Sequence, residues 1–393
     1  MLDVRFPAGP PVTVDHLLDE VMAGSRLSVG DDRILDFLVA FGRLLLRPAL
    51  ARRHPELGTL GSFLRPGELL RTIDALRGDH VRMPRGLAFH VPPADVDTVF
   101  VYSWALSALT GNRNVVRLSP RAGPMAATIV DALQEALDDA DPVVAATQRI
   151  ICYDRSPTIT AALSSACDLR VIWGGDRAAH EIRRHPLAPH ARELTFPDRS
   201  SFAVVRASAW LGAPRAARAA VAEGFVNDSY WFDQAACSSP RTAFWVGSRA
   251  DCDAARAAFA ACLSLAVERR GWAVDAAMAV QRRVAAYERA ADLHDDALAL
   301  ATAITAPRRW LGAGTFAHAR LGSLAELIPL VGRRDQTMTH FGFSREELME
   351  LAHALAGRGV DRMVPFGDAL SFHRVWDGMD VASEFTRLVT VFA

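Results

Sequence analysis

Apolar positions along the chain change rhythm near residue 86. Before it, Ile34-Leu35-Phe37-Leu38-Phe41 and Leu44-Leu45-Leu46 recur at helical spacing between turns that carry Pro and Gly, which predicts a helical N-terminal region over residues 1–80. After it, short apolar runs alternate with helix-length segments. Leu87-Ala88-Phe89-His90-Val91 predicts a strand closed by Pro92-Pro93, then a buried helix reaching Leu109 with Asp95 or Asp97 as its cap. Further strands are expected at 114–118, 149–153, 169–173 and 201–205. Helices are expected at 125–137, 158–166 and 176–184, with two more at about 250–270 and 276–303. Strand and helix alternate, so the economical arrangement is a parallel sheet covered by helices.

Length and composition refine this picture. A chain of 393 residues, half of them hydrophobic, is long for one core, and two domains are expected. A formal net charge of −1 offers no general attraction to nucleic acid or to an anionic membrane surface. The cationic residues are all arginine. Lysine is absent, which excludes Schiff-base catalysis, a phosphate-binding P-loop and a lysine general base. Five widely spaced cysteines, with no CxxC pair and no secretory signal, point to reduced thiols in the cytoplasm. The longest near-apolar run, 99–109, is about half of what a membrane-spanning helix needs.

Among the thiols Cys237 stands apart, because small residues follow it and Pro240 ends the segment, placing the sulfur on a turn. Cys252 and Cys262 fall on helical periodicity, and Cys152 and Cys167 in or beside the sheet, so inert packing is their default. Spacing alone leaves Cys237 open between nucleophile and unreactive thiol. The strand ending at Trp173 runs into Gly174-Gly175 and a helix. That junction suits a phosphate or the edge of a dinucleotide, although a plain tight turn has the same sequence. His180 and His185 are five residues apart and point about 140° away from one another on a helix, so they share no metal. The Asn227-Asp228-Ser229 sequon has no meaning without export, and pairs such as Arg269-Arg270 and Arg333-Arg334 read as solvated faces.

The segment Asp233-Gln234-Ala235-Ala236-Cys237-Ser238-Ser239-Pro240 resembles the active-site segment of the LuxC family of fatty acyl-CoA reductases, a branch of the aldehyde-dehydrogenase superfamily. Gly86 to Ser119, Trp173-Gly174-Gly175, Phe196 to Val205, Gly359 to Gly367 and Trp376-Asp377-Gly378 resemble further blocks of that family, in the same order. The resemblance implies an α/β, aldehyde-dehydrogenase-like fold with two parallel-sheet domains and a helical N-terminal region. In that scheme residues 1–80 pack on a Rossmann-like cofactor domain at 81–205. A catalytic domain follows at 206–345, and 346–393 return to the cofactor domain or to an oligomer interface.

It also implies an activity. Cys237 would attack an acyl thioester, carried by coenzyme A, a carrier protein or a partner synthetase, and the S-acyl enzyme would be reduced to the aldehyde. The developing oxyanion would be met by donors such as the Cys237 backbone amide. Cofactor contacts fall on His90, Arg117, Ser119, Trp173, Gly174 and Gly175, and the planar fork of Arg117 favours NADPH, with NADH as the alternative. The chain is shorter than LuxC-type proteins, and one position departs from the superfamily pattern. Asp95 stands where an asparagine amide usually faces the oxyanion, and reads equally as a helix cap. Glu193 lies near the position of the water-activating glutamate of hydrolytic relatives, which a reductase does not need. A homo-oligomer is expected. The competing readings are aldehyde oxidation to acid or thioester, and a non-catalytic homologue that binds an acyl carrier.

Overall fold

The computed structural model describes residues 1–93, 96, 98–272, 279–280, 284, 312 and 314–392. Contacts divide it into two compact units, Met1–Asp198 with Phe372–Ala393, and Arg199–Ser371.

The first unit begins with a short strand, β1 (Asp3–Phe6), then five helices: α1 (Val14–Ala23), α2 (Asp32–Leu45), α3 (Pro48–Arg53), α4 (Pro55–Phe63) and α5 (Pro66–Asp74). Proline occupies the first turn of α3, α4 and α5, where its missing N–H costs nothing. After β2 (Val81–Pro84) come β3 (Leu87–Val91), α6 (Thr98–Leu109), β4 (Arg113–Leu118), α7 (Pro124–Leu137), α8 (Pro142–Thr147) and β5 (Gln148–Cys152). The unit continues through α9 (Pro157–Ala166), β6 (Leu169–Trp173), α10 (Asp176–Arg183) and β7 (Arg192–Phe196).

The six-stranded sheet has the order β1-β5-β4-β3-β6-β7. All neighbours are parallel except β1, which runs antiparallel along β5. Every residue of β3 is buried, as a central strand covered on both faces requires. In α6 every residue but Val99 is buried, which matches a helix that is apolar all round. The strands expected at 114–118, 149–153 and 169–173 are β4, β5 and β6. The edge strands β1 and β7 were not foreseen, because Asp-Val-Arg-Phe and Arg-Glu-Leu-Thr-Phe alternate charge with apolar residues over too short a run.

The last residues close this unit. Phe385 is fully buried, and its carbonyl accepts a 2.9 Å hydrogen bond from Asn112 Nδ2. Phe372 stacks on Tyr102 at 5.0 Å, Trp376 lies 5.7 Å from the same ring, and the Tyr102 hydroxyl donates to His373 O. The strand Thr386–Val389 then pairs antiparallel with β2.

The second unit runs β8 (Ser200–Arg206), α11 (Ala207–Gly212), α12 (Arg215–Tyr230), β9 (Pro240–Val246), α13 (Arg249–Arg270) and β10 (Ala317–Leu321). A 3₁₀ segment at Leu324–Leu330 leads to β11 (Asp335–Phe341), then α14 (Arg345–Leu355) and β12 (Arg362–Pro365). Its sheet is wholly parallel with the order β10-β9-β8-β11-β12. Trp210, Phe225, Trp245 and Phe259 pack one face; Phe202, Val204, Phe244 and Met338 pack the other. The helix expected at about 250–270 is α13, while the stretch expected at 276–303 lies outside the described residues, 279–280 and 284 aside.

In each sheet the chain adds strands on one side of the first parallel strand, then returns to the other side. Both units are therefore doubly wound, with switch points between β3 and β6 and between β8 and β11. No helix among the described residues is long and apolar enough to cross a membrane.

Candidate active site

The Cys237 segment is a reversal between α12 and β9. Helix α12 ends at Tyr230, and Asp233 and Gln234 then take left-handed backbone angles, φ 46° and 62°, which turn the chain back. Backbone bonds lock the reversal, among them Gln234 N to Ser229 O at 2.8 Å, Ala235 N to Phe232 O at 2.8 Å and Ser239 N to Ala236 O at 3.0 Å. The Gln234 amide braces it further, donating to Pro240 O and Thr315 O. Cys237 thus sits on a fixed turn, half-buried, at the N-terminal edge of the second sheet.

Its carbonyl is held as well. Ser201, fully buried at the start of β8, donates to Cys237 O at 2.7 Å and accepts from Thr337 N of β11 at 3.1 Å. This edge of the sheet is lined with buried polar groups, Ser200, Gln234, Ser238, Ser239, Asp335 and Thr337 among them. A polar lining of that kind suits the handling of charge more than packing. Ser201 escaped the sequence reading because its partners lie 36 and 136 positions away along the chain.

All five cysteines are thiols. Burial pushes Cys167 up to about 12 and also raises Cys252, so both stay protonated and inert. Cys152 is buried in the sheet, and Cys262 lies within helix α13. Cys237 alone combines partial exposure with a turn.

Behind the same helix lies a second buried group. A Cβ at Gly224 would come within 2.8 Å of Phe366 O, so only glycine lets α12 approach the segment after β12 this closely. Four residues on, Asp228 accepts from Gly367 N at 2.7 Å and Ala369 N at 3.0 Å. Burial pushes its carboxyl up to about 7, against the lowering effect of those two amides. From the other side the Arg362 guanidinium donates to the carbonyls of Asp368, Ala369 and Ser371.

The residues assigned to a cofactor lie in the first unit. Arg117 and Ser119 are at the C-terminal end of β4, and Trp173 at that of β6, one edge of the parallel sheet and beside its switch point. Gly174 has φ +145°, and a Cβ at Gly175 would meet nothing within 4 Å, so the turn faces open space. Helix α10 starts there without a side-chain cap. Trp173 stacks on Phe196, ring centroids 3.6 Å apart, and its indole nitrogen has no hydrogen-bond partner among the described residues. The Arg117 guanidinium lies over the Tyr153 ring at 4.8 Å, with Nε unpaired among the described residues. Open glycine backbone, an uncapped helix start and an unpaired arginine nitrogen suit the phosphates of a dinucleotide.

His90 does not join them. It is fully buried, its Nδ1 2.9 Å from Ser103 Oγ and its Nε2 2.9 Å from Asn114 Oδ1. The Asn114 amide nitrogen is spent on Asn112 O and Gln148 Oε1, so Asn114 Oδ1 accepts and the imidazole carries its proton on Nε2. Burial lowers its pKa to about 4, leaving a neutral ring with both nitrogens committed inside the core.

Glu193 is equally occupied. On β7 it accepts from Arg170 Nε at 2.9 Å, Arg183 Nε at 2.6 Å and Thr195 Oγ1 at 2.9 Å. Burial alone would raise its pKa, but hydrogen bonds from Arg183, Arg170 and Thr195 hold it below the usual value. A carboxylate so held is a poor base toward water. Asp95 lies outside the described residues. No cluster of three or more metal-ligating side chains occurs among the described residues.

The family model for acyl-CoA reductase (LuxC) matches residues 70–301. A long-chain acyl-protein thioester reductase of Aliivibrio fischeri is 26% identical over 176 residues, 44% of this chain and 34% of that protein. Long-chain acyl-protein thioester reductase 2 of Photobacterium leiognathi is 29% identical over 173 residues, 43% of this chain and 34% of that one. The match therefore spans about a third of the length of these relatives. Among solved structures, the aldehyde dehydrogenase KauB of Pseudomonas aeruginosa superposes with a TM-score of 0.68 at 14% identity, over 96% of this chain and 88% of that one. An aldehyde dehydrogenase of Mycobacterium tuberculosis complexed with NAD+ gives 0.63 at 11% identity, over 96% and 89%. The fold is that of the aldehyde dehydrogenases.

Proposed function

This chain belongs to the acyl-CoA reductase (LuxC) family, and from that premise we propose that it reduces an acyl thioester to the aldehyde through an S-acyl intermediate on Cys237. The observation that carries the reading is the Cys237 turn: a half-buried thiol on a locked reversal, its carbonyl gripped by Ser201. A nucleophile needs such placement, because attack on a carbonyl requires the sulfur to be presented rather than packed.

The Cys237 thiol gives up its proton and the sulfur bonds to the thioester carbon, whose carbonyl electron pair moves to oxygen. When that oxyanion collapses, the bond to the departing sulfur breaks, and the leaving thiolate takes up a proton. When bound, the reduced nicotinamide supplies the two electrons and hydrogen that bring the acyl carbon to the aldehyde level. The Gly174-Gly175 turn and the first turn of α10 would hold its pyrophosphate, and Arg117 with Ser119 the adenosine side. The Arg117 fork favours a 2′-phosphate, and hence NADPH over NADH.

Glu193 bears on the direction of the chemistry. Tied to Arg170 and Arg183, it is not available to activate water, which supports an acyl enzyme that survives to be reduced over hydrolytic oxidation of an aldehyde. The acyl donors of this reading are acyl-coenzyme A and acyl-carrier thioesters.

Intact-mass measurement after incubation with decanoyl-CoA, without reductant, tests the reading. Wild type is expected to gain one decanoyl group and C237A none, with NADPH oxidation by the variant at background. A wild-type protein that never gains mass from any acyl thioester overturns it.

A further inference from the structure

The peptide that follows the nucleophile offers a donor which the arrangement of Ser201 explains. The 237–238 peptide is trans, so the Ser238 N–H points opposite to the Cys237 carbonyl. That carbonyl is drawn toward β8 by Ser201 Oγ at 2.7 Å, and Ser201 is itself fixed by Thr337 N of β11. The Ser238 N–H therefore points the opposite way, away from Ser201. Among the described residues it makes no hydrogen bond, although Ser238 is only 2% exposed. A buried backbone amide without a partner is rare, and beside a nucleophile it has the placement of an anion-binding donor.

We propose that the Ser238 main-chain N–H is an oxyanion donor for thioester attack by Cys237, and that Ser201 is the positioning residue that aims it by holding the Cys237 carbonyl. The inference rests on the acyl-transfer reading above. As sulfur bonds to the acyl carbon, the carbonyl pair moves onto oxygen, and the Ser238 N–H donates to that oxygen. The bond to the departing thiol then breaks and the charge leaves with its sulfur. The amide of the residue after a nucleophile plays this part in hydrolases with a strand-to-helix nucleophile turn. Here the nucleophile turn runs from a helix into a strand, and a serine hydroxyl from the neighbouring strand sets the peptide plane. The device needs no side-chain amide, and so it does not depend on Asp95.

Two rates separate this role from general support of the thiol. Acylation of Cys237 by decanoyl-CoA passes through an oxyanion, whereas alkylation by iodoacetamide does not. For Ser201→Ala the acylation rate is expected to fall about tenfold or more, with alkylation changed less than about twofold. Ser201→Thr, which keeps the hydroxyl, is expected to restore most of the acylation. Replacing the Ser238 amide by an ester, which deletes the N–H alone, is expected to slow acylation by about 10²-fold at unchanged alkylation. Equal losses in both rates, or no loss in either, overturn the inference while leaving the function standing. Wild type that is alkylated but never acylated overturns the function and this donor with it.

Discussion

Asp228 is a carboxylic acid sealed between α12 and the segment after β12, where two backbone amides hold it. Burial pushes its carboxyl up to about 7 from an ordinary 3.8. Between those values the folded chain keeps a proton that the unfolded chain has released. Its contribution to stability is thus complete below about pH 3.8 and is lost as pH rises through 7. Asp228→Asn removes this titration, so the melting temperature of the variant is expected to fall less than that of wild type between about pH 4 and pH 7. Parallel thermal melts by circular dichroism read the difference, and superimposable pH profiles would refute it. At this scale the sequence was uneven as a guide. The turn at Cys237 was legible because the small residues after it keep it out of a helix. Ser201 was not, since a hydroxyl at the head of an apolar strand carries no mark of a partner 36 residues away. His90 misled for a related reason: a histidine in a buried strand reads the same whether it faces a ligand or, as here, Ser103 and Asn114.

Strands centred on apolar residues could be read directly, as β3, β4, β5, β6 and β8 show, even where polar residues open them. β9 and β11 were not read. β11 opens with Asp-Gln-Thr because its first residues line the polar edge around Cys237, and β9 opens with Pro-Arg-Thr beside the same turn. Periodicity reports burial against a core, and these strand ends are buried against hydrogen-bonding groups. β7 shows the charged counterpart, because Glu193 joins it to β6 through Arg170 and to α10 through Arg183. Arg170 is 3% exposed, so removing its partner strands a buried guanidinium. Glu193→Ala is expected to cost about 3 kcal/mol or more in urea unfolding. Glu193→Gln keeps an acceptor for Arg170 and is expected to leave the ratio of aldehyde to acid product unchanged. A shift of that ratio toward aldehyde would instead show the carboxylate serving water.

The architecture of the molecule was legible in outline, as a parallel sheet covered by helices, because alternation of strand and helix is a long-range signal that local errors do not erase; the strand order of each sheet was not. What the alternation does not encode is how the last residues are used. Trp376, Val381, Ala382 and Phe385 belong to the core of the first unit, far along the chain from the rest of it. Their segment is short, its strands are of two and four residues, and its apolar positions follow no single period. Phe385→Ala is expected to destabilise the first unit by about 3–5 kcal/mol, measured by urea unfolding. A loss well under 1 kcal/mol would mean that this residue does not close the core.

That closing segment also orders events at the ribosome. The first unit is synthesised first, as multidomain chains usually fold, yet Tyr102 waits for Phe372 and Trp376, and Asn112 for the carbonyl of Phe385, until the whole of the second unit has been made. A nascent chain therefore carries an open apolar seam on the first unit throughout translation of the second. That seam closes once Phe385 has emerged from the exit tunnel.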